Sequence, residues 1–142
     1  VYRQTMFAEF ELAMGKMAES GQALTADALC QKYHALNKLY FGPDMVSDDQ
    51  IALEWARIPH FFYNYYVFQY ATGFSAAVAI ANRILKEGAP AVADYKKFLS
   101  GGCSTDPISL LKIAGVDMSS PEPVNSALAL FGELVDEMEQ LV

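Results

Sequence analysis

The chain has 142 residues, of which 53% are hydrophobic and 19% charged, and a formal net charge of −7. That length and composition exclude disorder for the body of the chain and point to one compact domain with a sizeable core. The acidic balance, with basic residues scattered and only Lys96-Lys97 adjacent, excludes a nucleic-acid binder, because phosphate contacts need a basic face.

The predicted elements are all helical. Residues 2–19 place Phe7, Phe10, Met14 and Met17 at helical spacing, and "ESGQ" ends the run at Gly21. Thr25 is an N-cap for a second helix through about Tyr40, stopped by "FGPD". Ser47 followed by Gln50 matches a capping box for a short third helix through Trp55. Pro59 suits the first turn of a long fourth helix, which runs to about Lys86 and stops at Gly88.

Pro90 opens a fifth helix ending at "SGG", and Asp106-Pro107 caps and starts a short sixth. Ser120 in "MSSPEPV" caps a last helix to about Leu141. No alternating run survives to argue for a strand. The expectation is a single all-α unit over 1–142, a multi-helix bundle.

The opening "VYRQTMFAEFELAMGKM" has acidic residues and helical pattern from its first turn, so it does not read as a signal peptide. It lacks an initiator Met and begins in mid-pattern, which is expected of a piece of something longer. Cys30 and Cys103 have no metal-binding or CxxC spacing and are expected to be reduced, buried thiols of a cytoplasmic protein.

The segment "RIPHFFYNYYVFQYATG", residues 57–73, concentrates the polar aromatics. On an ideal helix, Tyr63, Tyr70 and Tyr66 fall at about −60°, −80° and −120° from His60, while Phe61, Phe68 and Tyr65 fall on another side. A buried phenol needs a hydrogen-bond partner, and three on one stripe suit a wet cleft, a polar ligand or a carbonyl oxygen acquiring charge. A helix buried on every side would explain the phenylalanines as core, and that reading stays open for the tyrosines too. Residues 61–81 carry no charge and could span a bilayer. Asn64, Gln69, Thr72, Ser75 and the mid-segment tyrosines argue against it, and no membrane association is expected.

Other chemistry is thin. Glu9 and Glu11 in "FAEFE" read as a solvated edge and a local ion pair, and His34 as a lone surface or packing histidine. Asp136, Glu137 and Glu139 form a solvated acidic helix end. There is no H-E-x-x-H, cysteine cluster or glycine-rich phosphate loop, so no metal site is expected in this chain.

"RQTMFAEFE", "ALTAD", "ALEWARIPHFFYNYYVFQYATGFSAA" and "AGVDM", in that order, resemble the C-terminal portion of the oligoendopeptidase F family, which is one of the thimet-oligopeptidase-like zinc metallopeptidases. The resemblance covers nearly the whole chain and is most specific over Ala52–Ala77. It implies the C-terminal part of a larger, mostly helical catalytic domain. It also implies zinc in the intact enzyme, held by an H-E-x-x-H helix and a further glutamate, all upstream of residue 1, with none bound by this chain.

The implied substrate is an oligopeptide. The implied catalytic residues are Tyr63, Tyr70 and His60, which steady the tetrahedral intermediate, with His60, Tyr65 and Tyr66 in substrate binding. The histidine-to-tyrosine spacing leaves Tyr65 as a rival for the Tyr63 role. Alone, the chain would be inactive and would self-associate through an apolar face that the missing helices cover. The alternative is a free-standing helical binding module with an aromatic groove.

Overall fold

The computed structural model describes residues 1–141, and among them it contains helices and no strands, in line with the all-α expectation. The elements are α1 (Tyr2–Glu19), α2 (Ala26–Phe41), two 3-10 helices (Asp49–Arg57 and Pro59–Phe62), α3 (Phe68–Glu87), α4 (Ala89–Ser100), α5 (Pro107–Ile113) and α6 (Glu122–Glu139). Contacts divide the chain into two compact units, one of Tyr2–Ala71 and one of Thr72 onward with Val1. The division falls within α3.

The first unit is built on aromatic packing between α1 and α2. Met6, Phe7 and Phe10 of α1 meet Leu29, Tyr33 and Leu36 of α2, with Phe61 and Val67 closing the cluster. Phe10 meets Tyr33 edge-on at 5.1 Å and Phe61 at 5.2 Å. Each large apolar side chain buried in this way stabilises the unit by about 1.5–3 kcal/mol. Thr25 caps α2 as expected, its hydroxyl accepting from the Ala28 amide.

Within this core sits a buried carboxylate. Glu54, 7% exposed in its side chain, accepts from the Tyr33 hydroxyl through Oε2 and from Nη2 of both Arg3 and Arg57 through Oε1. Burial opposes the charged form. Hydrogen bonds from Tyr33 and Arg3 and the two guanidinium charges outweigh it, holding the carboxyl below its usual range. The same contact works in reverse on Tyr33, whose phenol is pushed well above the ordinary value by burial and by the bond to Glu54.

Four sequence expectations are corrected here. The third helix is a 3-10 helix capped by Asp48, which accepts from the Ile51 amide, while the Ser47 hydroxyl instead donates to Asn37. The long fourth helix does not begin at Pro59. Pro59–Phe62 is a separate 3-10 turn, residues 63–67 are irregular, and α3 starts at Phe68.

The broken helix places Phe61 in the core and leaves Phe62, Phe68 and Phe74 exposed, so the phenylalanines are not uniformly core. Cys103 is exposed rather than buried, and half-buried Cys30 lies 3.5 Å from the Trp55 indole nitrogen. His34 packs locally, its Nε2 3.3 Å from the Ser47 carbonyl oxygen.

In the second unit, Ala76, Ile80, Ala114 and Val116 form the buried cluster, flanked by Ile84, Tyr95 and Phe98. Arg83 ties it together, donating to Glu87, to Asp94 at 2.9 Å and to the Ala114 carbonyl at 2.8 Å. The Arg83 guanidinium occupies the space that a Cβ at residue 115 would need, and Gly115 has a φ of 79°. Both facts require glycine there. Asp106 caps α5 as expected, accepting from the Ser109 amide. Among the described residues, no helix is long and apolar enough to cross a membrane.

Glu54→Ala is expected to destabilise the first unit by about 1–3 kcal/mol at neutral pH, because it leaves the buried Tyr33 hydroxyl without its acceptor while the two exposed arginines turn to solvent. With its folded pKa depressed, Glu54 contributes fully above the unfolded carboxyl pKa of about 4.3, and the contribution fades as pH falls through the lower folded value. Amide exchange of α2 in the intact protein measures this. Equal protection with and without Glu54 at pH 7 would contradict it.

Candidate active site

The irregular stretch 63–67 exists because its amides have a better acceptor than the helix offers. In a continuous helix, the Tyr66 and Val67 amides would donate to carbonyls four residues back. Instead both donate at 3.2 Å to the two oxygens of Glu11, which is 5% exposed on α1. Asn64 and Tyr65 adopt left-handed φ values of 55° and 57° to make this reach.

Each such residue costs about 1–2 kcal/mol, while bonds to a charged acceptor contribute about 1.5–3 kcal/mol each. The carboxylate is therefore strong enough to hold the turn open. Phe61 on one side and Val67, 1% exposed, on the other anchor its ends in the core.

This corrects the expectation for Glu11, which is neither a solvated edge nor an ion-pair member. The signal was present in the sequence. Glu11 lies four residues after Phe7 and three before Met14, on the apolar stripe itself, where a carboxylate must find donors. Glu9 is exposed and accepts from the Tyr40 hydroxyl at 2.8 Å; burial, and then this bond, raise that phenol to about 12.

The turn delivers four of the sequence-predicted side chains to one place, though not by the helical stripe that suggested them. His60 stacks on Tyr66 with centroids 5.8 Å apart and planes at 19°, and meets Tyr63 at 5.6 Å and Tyr70 at 5.8 Å edge-on. Tyr66 in turn meets Tyr63 at 5.8 Å and Tyr70 at 5.7 Å. His60 is on the second 3-10 helix, Tyr63 at its end, Tyr66 in the turn and Tyr70 in the first turn of α3. All three tyrosines are exposed, from 36% for Tyr66 to 58% for Tyr63.

A hydrogen bond to the Tyr66 hydroxyl, with smaller contributions from burial and from the neighbouring phenols, raises the Tyr70 phenol above its ordinary value. Tyr70 therefore stays protonated, and a donor, throughout the neutral range.

Tyr65 is not among them. Its hydroxyl fills the space that a Cβ at Gly15 would need, so its ring lies against α1. It lines a separate hollow of about 560 Å³ with Glu11, Met14, Gly15 and Phe62. The cluster thus offers several phenol donors and an imidazole to a ligand arriving from solvent, an arrangement suited to a polar oxygen. Among the described residues, no three of His, Cys, Asp or Glu gather in a way that could hold a metal ion.

Comparison with known proteins gives this cluster a context. The profile of peptidase family M3 matches residues 1–130. The whole chain is 58% identical to the oligopeptidase PepF of Bacillus subtilis and covers 21% of that protein. It is 44% identical to the group B oligopeptidase PepB of Streptococcus agalactiae, covering 24% of it. The crystal structure of oligoendopeptidase-F from Enterococcus faecium superposes with a TM-score of 0.93 at 46% identity, over 99% of this chain and 27% of the other. The chain thus spans between a fifth and about a quarter of the length of these relatives.

Replacing Glu11 with Gln keeps the side-chain shape but faces one backbone N–H with an amide N–H. We expect the Tyr66 and Val67 amides of the intact protein to exchange about tenfold to a hundredfold faster, matching the loss of one charge-assisted bond. Unchanged exchange at these two amides would show that Glu11 does not hold the turn.

Proposed function

The chain belongs to peptidase family M3, and from that premise we propose that it is the C-terminal part of a zinc-dependent oligoendopeptidase that hydrolyses peptide bonds in short peptides. Nothing among the described residues fits a zinc ion. We assign the metal ligands and the general base to the rest of the polypeptide. This chain supplies the opposite wall of the cleft and is inactive by itself.

The observation that carries the reading is the gathering of His60, Tyr63, Tyr66 and Tyr70 around one solvent-facing space. When water adds to a peptide carbonyl, the carbon becomes tetrahedral and its oxygen gains negative charge. Donors that strengthen their bonds as that charge develops lower the barrier. In this reading Tyr63 and Tyr70 donate to the oxyanion, and His60 donates to it or to the peptide backbone beside it.

Tyr66 acts on substrate through position and through Tyr70. Its ring lies 5.7 Å from that of Tyr70, and its hydroxyl raises the Tyr70 phenol, keeping it a donor. Tyr65, turned towards α1, acts in this reading by shaping the neighbouring hollow. Its place against Gly15, in a hollow that none of the four cluster residues lines, favours Tyr63 over Tyr65 as the first oxyanion tyrosine.

Tyr70→Phe in the intact enzyme should lower kcat by about tenfold to a thousandfold with zinc content unchanged. Because the Tyr70 phenol is raised above its ordinary value, the rate component that depends on Tyr70 should not fall away across the neutral range. Steady-state kinetics across pH, with metal analysis, read both. A Tyr70→Phe enzyme with wild-type kcat removes Tyr70 from the mechanism.

A further inference from the structure

Beside the aromatic cluster lies a hollow of about 290 Å³ whose lining includes Arg3, Gln4, Phe7, Arg57, His60 and Tyr70. No carboxylate lines it, and two guanidiniums do. We propose that it is a carboxylate subsite of the peptidase, in which Arg57 and Arg3 bind a carboxylate of the peptide, either its C-terminus or an acidic side chain. The inference rests on the reading of the cluster as the wall of a peptide-cleaving cleft.

Charge count supports it first. Arg3 and Arg57 share a single acid: both place Nη2 at 2.5 Å from the same oxygen of Glu54. The other Glu54 oxygen is taken by Tyr33, so this carboxylate is fully committed and the group keeps one surplus positive charge. A ligand carboxylate would balance two guanidiniums against two acids.

Geometry supports it independently. Each guanidinium has five N–H donors in a fixed fork suited to a carboxylate, and the contact to Glu54 uses one nitrogen of each. The remaining edges are open, since the side chains of Arg3 and Arg57 are 46% and 70% exposed. They are also held in place. Arg3 lies over the Phe7 ring with its guanidinium carbon 4.5 Å from the centroid, and Glu54 fixes both heads, which lowers the ordering cost of binding.

Position supplies the link to specificity. His60 and Tyr70 belong both to the hollow and to the cluster, so a carboxylate bound here would set the register of the peptide against the hydrolytic donors. Binding energy at a remote charge would then help to place the scissile carbonyl. A site of this kind favours short peptides, whose ends lie close to the bond being cut.

The test uses the intact enzyme and four quenched fluorogenic peptides of one sequence. Two lack acidic side chains and differ only in a free or amidated C-terminus; two are amidated and differ in one Glu or Gln. We expect kcat/KM to favour a carboxylate in at least one pair by about tenfold to a hundredfold, through KM, and the preference to shrink at high salt. The first pair moving identifies the C-terminus, and the second an acidic side chain.

Arg57→Gln and Arg3→Gln are expected to bring the ratio towards one. The ratio within each enzyme is the readout, so a general loss of activity does not affect it, and the wild-type preference and its salt dependence stand without the variants. Equal cleavage of both members of both pairs by wild type would overturn the subsite while leaving the peptidase reading intact. A preference that survives both arginine variants would overturn it as well. Cleavage of none of the four would overturn both readings together.

Discussion

The contact on which the first unit depends is a carboxylate accepting two main-chain amides. Glu11 is buried on α1, and its oxygens meet the Tyr66 and Val67 amides at 3.2 Å. A buried carboxylate without donors would be strongly disfavoured, and unpaired amides would be too. Each therefore requires the other, and the pairing can be satisfied only if the chain leaves helical geometry between residues 63 and 67. The left-handed Asn64 and Tyr65 follow from this demand. So does the new helix start, where the Gln69 and Tyr70 amides donate to the carbonyls of Tyr66 and Val67.

Two acids in this unit thus act as internal organisers. Glu11 shapes the backbone that carries the tyrosines. Glu54 orders side chains, fixing Tyr33 in the core and two arginines at the edge of the cluster. Their mechanisms differ. The donors to Glu11 are backbone amides, which carry no formal charge. Glu54 is overcompensated by guanidiniums, leaving positive charge beside His60. An acidic protein with a net charge of −7 thereby presents a locally cationic hollow next to its phenols.

Much of the fold was legible in the sequence because local signals decide helices. The α1 stripe, the Thr25 and Asp106 caps and the glycine stop at Gly88 all point to boundaries close to those observed. The break at residues 63–67 was not legible from spacing. An uninterrupted apolar run after Pro59 favours one helix, and the group that breaks it lies more than fifty residues earlier in the chain. Gathering His60, Tyr63, Tyr66 and Tyr70 was foreseen on a helical wheel, yet a turn performs it. Residues spaced by three, four and seven converge on one side in either geometry. Tyr65, which the wheel places on another side, does lie apart from the others, its hydroxyl against Gly15 of α1.

The family relationship and the aromatic cluster support one picture, in which a metal-bearing part of a longer peptidase works against a wall of phenols and imidazole held by Glu11. The most direct test is a double-mutant cycle on kcat in the intact enzyme, pairing Glu11→Gln with removal of both hydroxyls proposed to face the oxyanion, Tyr63→Phe and Tyr70→Phe. If Glu11 acts by positioning those hydroxyls, its substitution should slow the wild type by at least about tenfold but change the hydroxyl-free enzyme by less than about threefold. A full Glu11→Gln effect in the absence of both hydroxyls would contradict the central claim.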